Sequence, residues 1–190
     1  MRVGFLGAGL IATYHSKSLR QSGSETACDV VRAGVYDPDT ERAAAFAAAS
    51  GHTVCATEAE VLDSCDAVYV CTWTSEHPRL VAMAVERGLH IFCEKPLAVS
   101  LESAETMAAL VNAAGVTNQV GLVLRRSPAY LWARQLINDA AAGRVMAVVF
   151  RDDQFIPTQG HYASTWRADK ALAGAGTLLE HSIHLSLIHI

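Results

Sequence analysis

The run Arg2–Leu6, RVGFL, leads straight into Gly7-Ala8-Gly9-Leu10-Ile11-Ala12, and no other feature constrains the fold as much. A G-x-G-x-x-A pattern placed after a strand and at the start of a helix has a physical logic. The first glycine suits a tight turn, and the second lets backbone come close to a pyrophosphate. A small residue at Ala12 permits close helix–strand packing, with the helix N-terminus turned toward phosphate charge. Glycine-rich strand–helix turns also occur without a ligand, so the pattern needs a second element. Asp37 supplies one: it ends the next strand-like run, 25 residues past Ala12, where a carboxylate can accept from ribose hydroxyls. Taken alone, Asp37 reads equally well as a turn or N-cap residue before Pro38. With the glycines in place, dinucleotide binding is favoured. An acid followed by proline, with no arginine directly after it, points to NAD over NADP.

Beyond this unit the alternation continues. RVGFL, VVRAGVYD, HTVCA, AVYVCT, HIFCEKP and TNQVGLVL read as strands; DTERAAAFAAASG, EAEVLDSC, HPRLVAMAVERG and SLESAETMAALVNAAG read as helices. Alternating strands and helices imply a parallel sheet with right-handed crossovers and helices on both faces. Gly51, Gly88 and Gly115 stand where helices should stop. After Leu124 the pattern changes. SPAYLWARQLINDAAAG reads as one helix stopped by Gly143, RVMAVVFRDDQF as one long strand, and IPTQGHYASTWRADKALAGAG as a loop leading into a last helix. The expected architecture is α/β: a dinucleotide-binding Rossmann domain over 1–124, with a second domain beginning at 125.

Composition removes other classes. Of 190 residues, 51% are hydrophobic and 18% charged, enough apolar material for a packed core. The net charge of −4 comes with no basic cluster beyond the pair Arg125–Arg126, so nucleic acid is not an expected partner. No apolar stretch approaches the ~20 residues that span a bilayer. The apolar N-terminal run is short and glycine-punctuated, unlike a secretory leader. Cys28, Cys55, Cys65, Cys71 and Cys93 are an odd number without C-x-x-C spacing. They read as reduced core residues of a cytoplasmic protein.

Glu94-Lys95-Pro96 falls at the carboxyl end of the fifth strand, the edge where open parallel sheets bind ligands. On residue types alone it reads also as a surface ion pair beside a turn. Together with VYVCTWTSEH and the N-terminal glycines, however, it resembles the glucose-fructose oxidoreductase/inositol dehydrogenase family, Gfo/Idh/MocA. The E-K-P, W-R and helical carboxylate-to-histidine elements follow in the family's order, and the resemblance extends to His184.

The resemblance implies an NAD(P)-dependent oxidoreductase acting on a sugar, cyclitol or related polyol, in a parent protein that is a homo-oligomer. It also implies that residues 125–190 are the start of an incomplete α+β domain, mostly antiparallel sheet, for substrate and oligomer contacts. It implies that Gly7, Gly9, Leu10 and Ile11 hold the dinucleotide and that Asp37 takes the ribose. Thr72 and His77 lie against the cofactor, Glu94 and Lys95 flank the nicotinamide, and Trp166-Arg167 reach over from the second domain. It also implies a cis Lys95–Pro96 bond. The family's catalytic trio of lysine, aspartate and histidine falls on Lys95, Glu180 and His184, with Glu where Asp is usual. Residues four apart share a helix face, so Glu180 and His184 can face one cleft, and the longer side chain changes reach but not charge. An imidazole suits a general base near neutrality. That makes His184 the base, Lys95 the cation beside the developing alkoxide, and Glu180 the orienting partner. Glu180, His181 and His184 have spacings a cation would accept, but they form no H-E-x-x-H motif, and a metal is not expected. His15, His52, His90, His161 and His189 read as structural or surface groups. His161 and Tyr162 are candidates to line a substrate pocket, and Trp132 and Phe150 read as core.

The chain ends TLLEHSIHLSLIHI. After His184 the family continues with an acidic residue and further strands. Here the run is Leu185–Ile190, a hexapeptide that a sequencing-adapter string would encode when translated; an ordinary apolar helix continuation is the other reading. The first reading makes the chain a C-terminally truncated fragment, expected to bind NAD without turnover and to self-associate. A non-catalytic NAD-binding sensor or assembly subunit is the competing function.

Overall fold

A computed structural model describes residues 1–25, 29–147, 149, 151, 158–159, 164–176, 179 and 182–184. Six parallel strands form one sheet: β1 (Arg2–Leu6), β2 (Val31–Tyr36), β3 (Thr53–Val54), β4 (Ala67–Val70), β5 (His90–Cys93) and β6 (Asn118–Val120). The order is β3-β2-β1-β4-β5-β6, so the direction of travel across the sheet reverses beside β1. That reversal opens a crevice at the carboxyl ends of β1 and β4. The helices are α1 (Leu10–Glu25), α2 (Thr40–Ser50), α3 (Glu58–Ser64), α4 (His77–Glu86) and α5 (Leu101–Ala114), followed by α6 (Pro128–Asn138) and α7 (Lys170–Ala173).

Each strand feeds two cores because successive side chains leave on opposite faces. Val3 and Phe5 pack with Ala12, Val35 and Phe46. Leu6 packs on the other side with Val61, Val68, Val70, Leu80 and Ile91. Caps set the helix ends. Asp39, Thr57 and Ser100 accept from Arg42, Glu60 and Ser103 backbone N–H groups, and Gly51 and Gly115 close α2 and α5 in the left-handed conformation.

Past Leu124 the structure departs from the expected elements. The helix anticipated up to Gly143 stops at Asn138, and a 3-10 turn, Ala140–Ala142, follows. Residues 144–147, 149 and 151, expected in a long strand, carry no strand pairing. Strand structure is held by its ladder, and no described strand lies alongside to supply one. Val149 is 93% exposed and Met146 79% exposed. No antiparallel pair occurs among the described residues.

Candidate active site

The glycine turn is built by β1 meeting the end of β4. Gly7 has φ +90°, and a Cβ there would lie 2.5 Å from the Cys71 carbonyl oxygen. Its N–H donates to the Tyr36 carbonyl at 2.8 Å. The protein's own packing therefore requires glycine at position 7. At Gly9 a Cβ would meet nothing within 4 Å, so the fold does not demand glycine there. The bare backbone there leaves open space at the N-terminus of α1, where an anionic group could approach closely. Leu10 is 43% exposed beside it, and Ile11 packs onto the core under α1.

Asp37 stands at the end of β2, only 5% exposed. Its Oδ2 accepts from the Ala8 N–H at 2.8 Å and its Oδ1 from the Asp39 N–H at 2.9 Å. The Arg42 guanidinium adds a contact of 3.1 Å, while its other nitrogen binds Asp39 at 2.8 Å. Asp37 is thus a clamp between the β1 and β2 turns, with part of its acceptor capacity already committed. Arg42 is the residue that sequence reasoning missed: it follows Asp37 by five positions, on the first turn of α2.

After β4, Thr72 is partly buried, and a 3-10 turn, Thr74–Glu76, leads into α4. His77 opens that helix at 1% exposure. Its Nδ1 lies 3.0 Å from the Pro96 carbonyl and 3.3 Å from that of Leu97, and its Nε2 3.4 Å from that of Thr72. Burial pushes its pKa below the ordinary imidazole value, although the three carbonyls pull the other way. Nearby, burial pushes the Cys71 and Cys93 thiols well above the usual range, which leaves them protonated and poor nucleophiles.

At the end of β5, Glu94 is 5% exposed. Its Oε1 lies 2.6 Å from His15 Nε2 on α1, and its Oε2 accepts from the Lys95 N–H at 3.0 Å. A Cβ at Gly121, just after β6, would lie 2.6 Å from Oε1. Lys95 is partly buried, and the Lys95–Pro96 bond is cis, as the resemblance implies.

Chain from beyond α6 returns to this edge. The 3-10 turn Thr165–Ala168 packs on α7, and α7 packs on the Thr74–Glu76 turn. Ala173 is 1% exposed there. Within the turn the Arg167 guanidinium lies 4.7 Å over the Trp166 ring, and both residues are partly buried. His184 is partly buried in a helical stretch. Glu180, His161, Tyr162, Cys28, Phe150 and Leu185–Ile190 lie outside the described residues. A separate cleft of about 440 Å³, lined by Ser16, Arg20, Asp29, Val31 and His52, lies away from the glycine turn.

A parallel sheet whose carboxyl edge gathers a glycine turn, a buried acid after β2 and an acid–lysine pair after β5 defines a dinucleotide-binding oxidoreductase domain. Residues 1–122 match the family model described as "Oxidoreductase family, NAD-binding Rossmann fold", and the chain belongs to that family, Gfo/Idh/MocA. It is 30% identical over 187 residues to 1,5-anhydro-D-fructose reductase of Ensifer adhaerens, covering 96% of this chain and 54% of that one. It is 36% identical over 149 residues to scyllo-inositol 2-dehydrogenase (NAD(+)) of Bacillus subtilis (strain 168), covering 76% and 42%. Among solved structures, an oxidoreductase domain protein from Kribbella flavida has a TM-score of 0.81 at 28% identity, covering 98% of this chain and 52% of its own. GenD2 from gentamicin A biosynthesis, solved in complex with NAD, has a TM-score of 0.81 at 25% identity, covering 100% and 52%. The chain spans about half the length of the curated relatives it matches.

Proposed function

We propose that the protein to which this chain belongs transfers a hydride between NAD and a hydroxyl-bearing carbon of a sugar, cyclitol or related polyol. The observation that carries the reading is the single sheet edge on which Gly7–Gly9, Asp37, Thr72 and Glu94-Lys95 all fall. The relatives named as an inositol dehydrogenase and an anhydrofructose reductase support the substrate class.

Bound there, the nicotinamide cofactor supplies the hydride acceptor. Gly9 and the α1 N-terminus hold the pyrophosphate, and Asp37 presents its remaining acceptor capacity to the ribose. The carboxylate also disfavours a 2′-phosphate, which makes NAD the preferred dinucleotide over NADP. His77 acts by holding the Thr72 loop and the Pro96–Leu97 turn together. Lys95 stands beside the reacting oxygen and offsets its charge, while His184 takes the hydroxyl proton with Glu180 orienting it. Trp166-Arg167 close the edge from the 3-10 turn Thr165–Ala168, which packs on α7. The resemblance supports a homo-oligomeric parent, and four free cysteines among the described residues are consistent with the cytoplasm.

The experiment has two arms. Titration of this chain with NADH and NADPH tests the cofactor site, and NAD reduction with a panel of cyclitols and sugars, on the full-length protein, tests turnover. Tight NADH binding with no reduction by any polyol would replace the enzyme reading with that of a non-catalytic NAD-binding subunit.

A further inference from the structure

A row of stacked rings crosses three neighbouring strands. Phe5, Tyr69 and Phe92 occupy paired positions on β1, β4 and β5. Phe5 and Tyr69 have centroids 4.9 Å apart at 18°, and Tyr69 and Phe92 4.6 Å apart at 23°. His15 on α1 completes the row: its ring meets Phe92 edge-on at 4.7 Å and lies 5.5 Å from Tyr69. Those contacts fix the imidazole plane and aim Nε2 at Glu94 Oε1, 2.6 Å away, with the side chains only 12% and 7% exposed. A carboxylate only accepts, so the ring N–H is the donor. The other carboxylate oxygen takes the Lys95 N–H. A side chain at Gly121 would strike the same group, so the carboxylate is held on three sides.

We propose that His15 is a positioning residue: through Glu94 it fixes the backbone of Lys95, and so ties the phosphate end of the cofactor site, on α1, to the nicotinamide end, on the β5 turn. The inference rests on the dinucleotide reading above. A buried hydrogen bond to a charged group is worth enough to hold such a turn, whereas the same pair on the surface would not be. Glu94, only 5% exposed, acts mainly through this link.

The test compares NADH with ADP-ribose, which keeps the phosphates and lacks the nicotinamide, by calorimetric titration of this chain. In His15→Leu the Kd for NADH should rise about tenfold while that for ADP-ribose stays within about twofold. His15→Gln, which restores an N–H donor, should recover most of the NADH affinity. Gly121→Ala, which disturbs the carboxylate without touching α1, should reproduce the selective loss and also speed hydrogen exchange at the Lys95 amide. An equal loss of both ligands, no loss of either, or His15→Gln behaving like His15→Leu would overturn the positioning role. A native chain that binds neither ligand would instead remove the dinucleotide reading, and the inference with it.

Discussion

His77 joins two loops: one ring nitrogen lies 3.0 Å from the Pro96 carbonyl and the other 3.4 Å from the Thr72 carbonyl. Replacing it with leucine keeps the volume but removes the one N–H that the neutral ring donates to a buried carbonyl. His77→Leu should cost about 2–3 kcal/mol of stability, read from urea unfolding. His77→Gln, which keeps an N–H donor, should cost about half as much. Equal stability of the leucine variant and the native chain would show that the bridge holds nothing.

Gly7 is required by the protein's own packing, whereas the space around Gly9 is open, so the two glycines test the proposed cofactor site separately from the fold. Gly7→Ala places a Cβ 2.5 Å from a carbonyl oxygen at a positive φ, so it should lower stability by about 2 kcal/mol or more. Gly9→Ala meets open space, so its melting temperature should stay near native while NADH affinity falls about tenfold or more. A destabilised Gly9→Ala, or one that binds NADH normally, would contradict the proposed site.

Asp37 clamps the β1 and β2 turns, and the proposed ribose contact gives it a second role that mutation should expose together with the first. Asp37→Ala removes the acceptor for the Ala8 and Asp39 N–H groups and for Arg42, so it should both destabilise the chain and narrow the gap between NADH and NADPH affinity. Arg42→Gln leaves the acid in place and should preserve the NAD preference. Tighter NADPH than NADH binding by the native chain would reverse the assignment.

What the sequence discloses follows from which interactions are local. Strand and helix periods, and the stops at Gly51 and Gly115, are set by neighbours in the chain and place all six strands, although TNQVGLVL, expected as one strand, pairs only over Asn118–Val120 and passes into a 3-10 helix at Val123–Arg126. Arg42 escapes because the search for a phosphate-binding arginine stops at the residue after Asp37, whereas the first turn of α2 folds back onto the acid. By type His15 reads as a structural or surface group, and the structure makes it structural. The available signal is its position beside Ala12, Ser16 and Leu19 on the inward face of α1, but the partner, 79 residues away, is invisible without the fold. The strand expected from residue 144 has the right residue types and no described partner, and a ladder cannot be read from one strand.

Acid should weaken the fold in a definite window. Burial, with Arg32 and Arg20 nearby, pushes the His52 pKa from 6.5 down to about 4, and burial also lowers that of His77. The unfolded chain then takes up protons before the folded one does. Stability is therefore complete above about pH 6.5 and declines as pH falls toward 4. Asp66, held down at about 2 by Arg2, acts in the same direction only at lower pH. Urea midpoints should fall between pH 7 and pH 5, and His52→Gln should flatten that slope. An unchanged slope in the variant would remove His52 as a cause.

Gly174 tests how the later chain is seated on the sheet edge. Its φ is +82°, and a Cβ would lie 2.8 Å from Val99 Cα and 2.9 Å from Val99 Cβ, while the preceding Ala173 is 1% exposed against the Thr74–Glu76 turn. An alanine at 174 meets both a disfavoured backbone region and a backbone atom that cannot yield. Gly174→Ala should lift α7 and the Thr165–Ala168 turn off the edge without disturbing the six-stranded sheet, whose contacts lie elsewhere. Trypsin should then cut faster after Arg167 and Lys170, and the intensity or wavelength of Trp166 emission should shift as the ring gains solvent. The far-ultraviolet melting transition should stay close to that of the native chain. Cleavage rates and emission identical to native would show that the segment is not held at this edge.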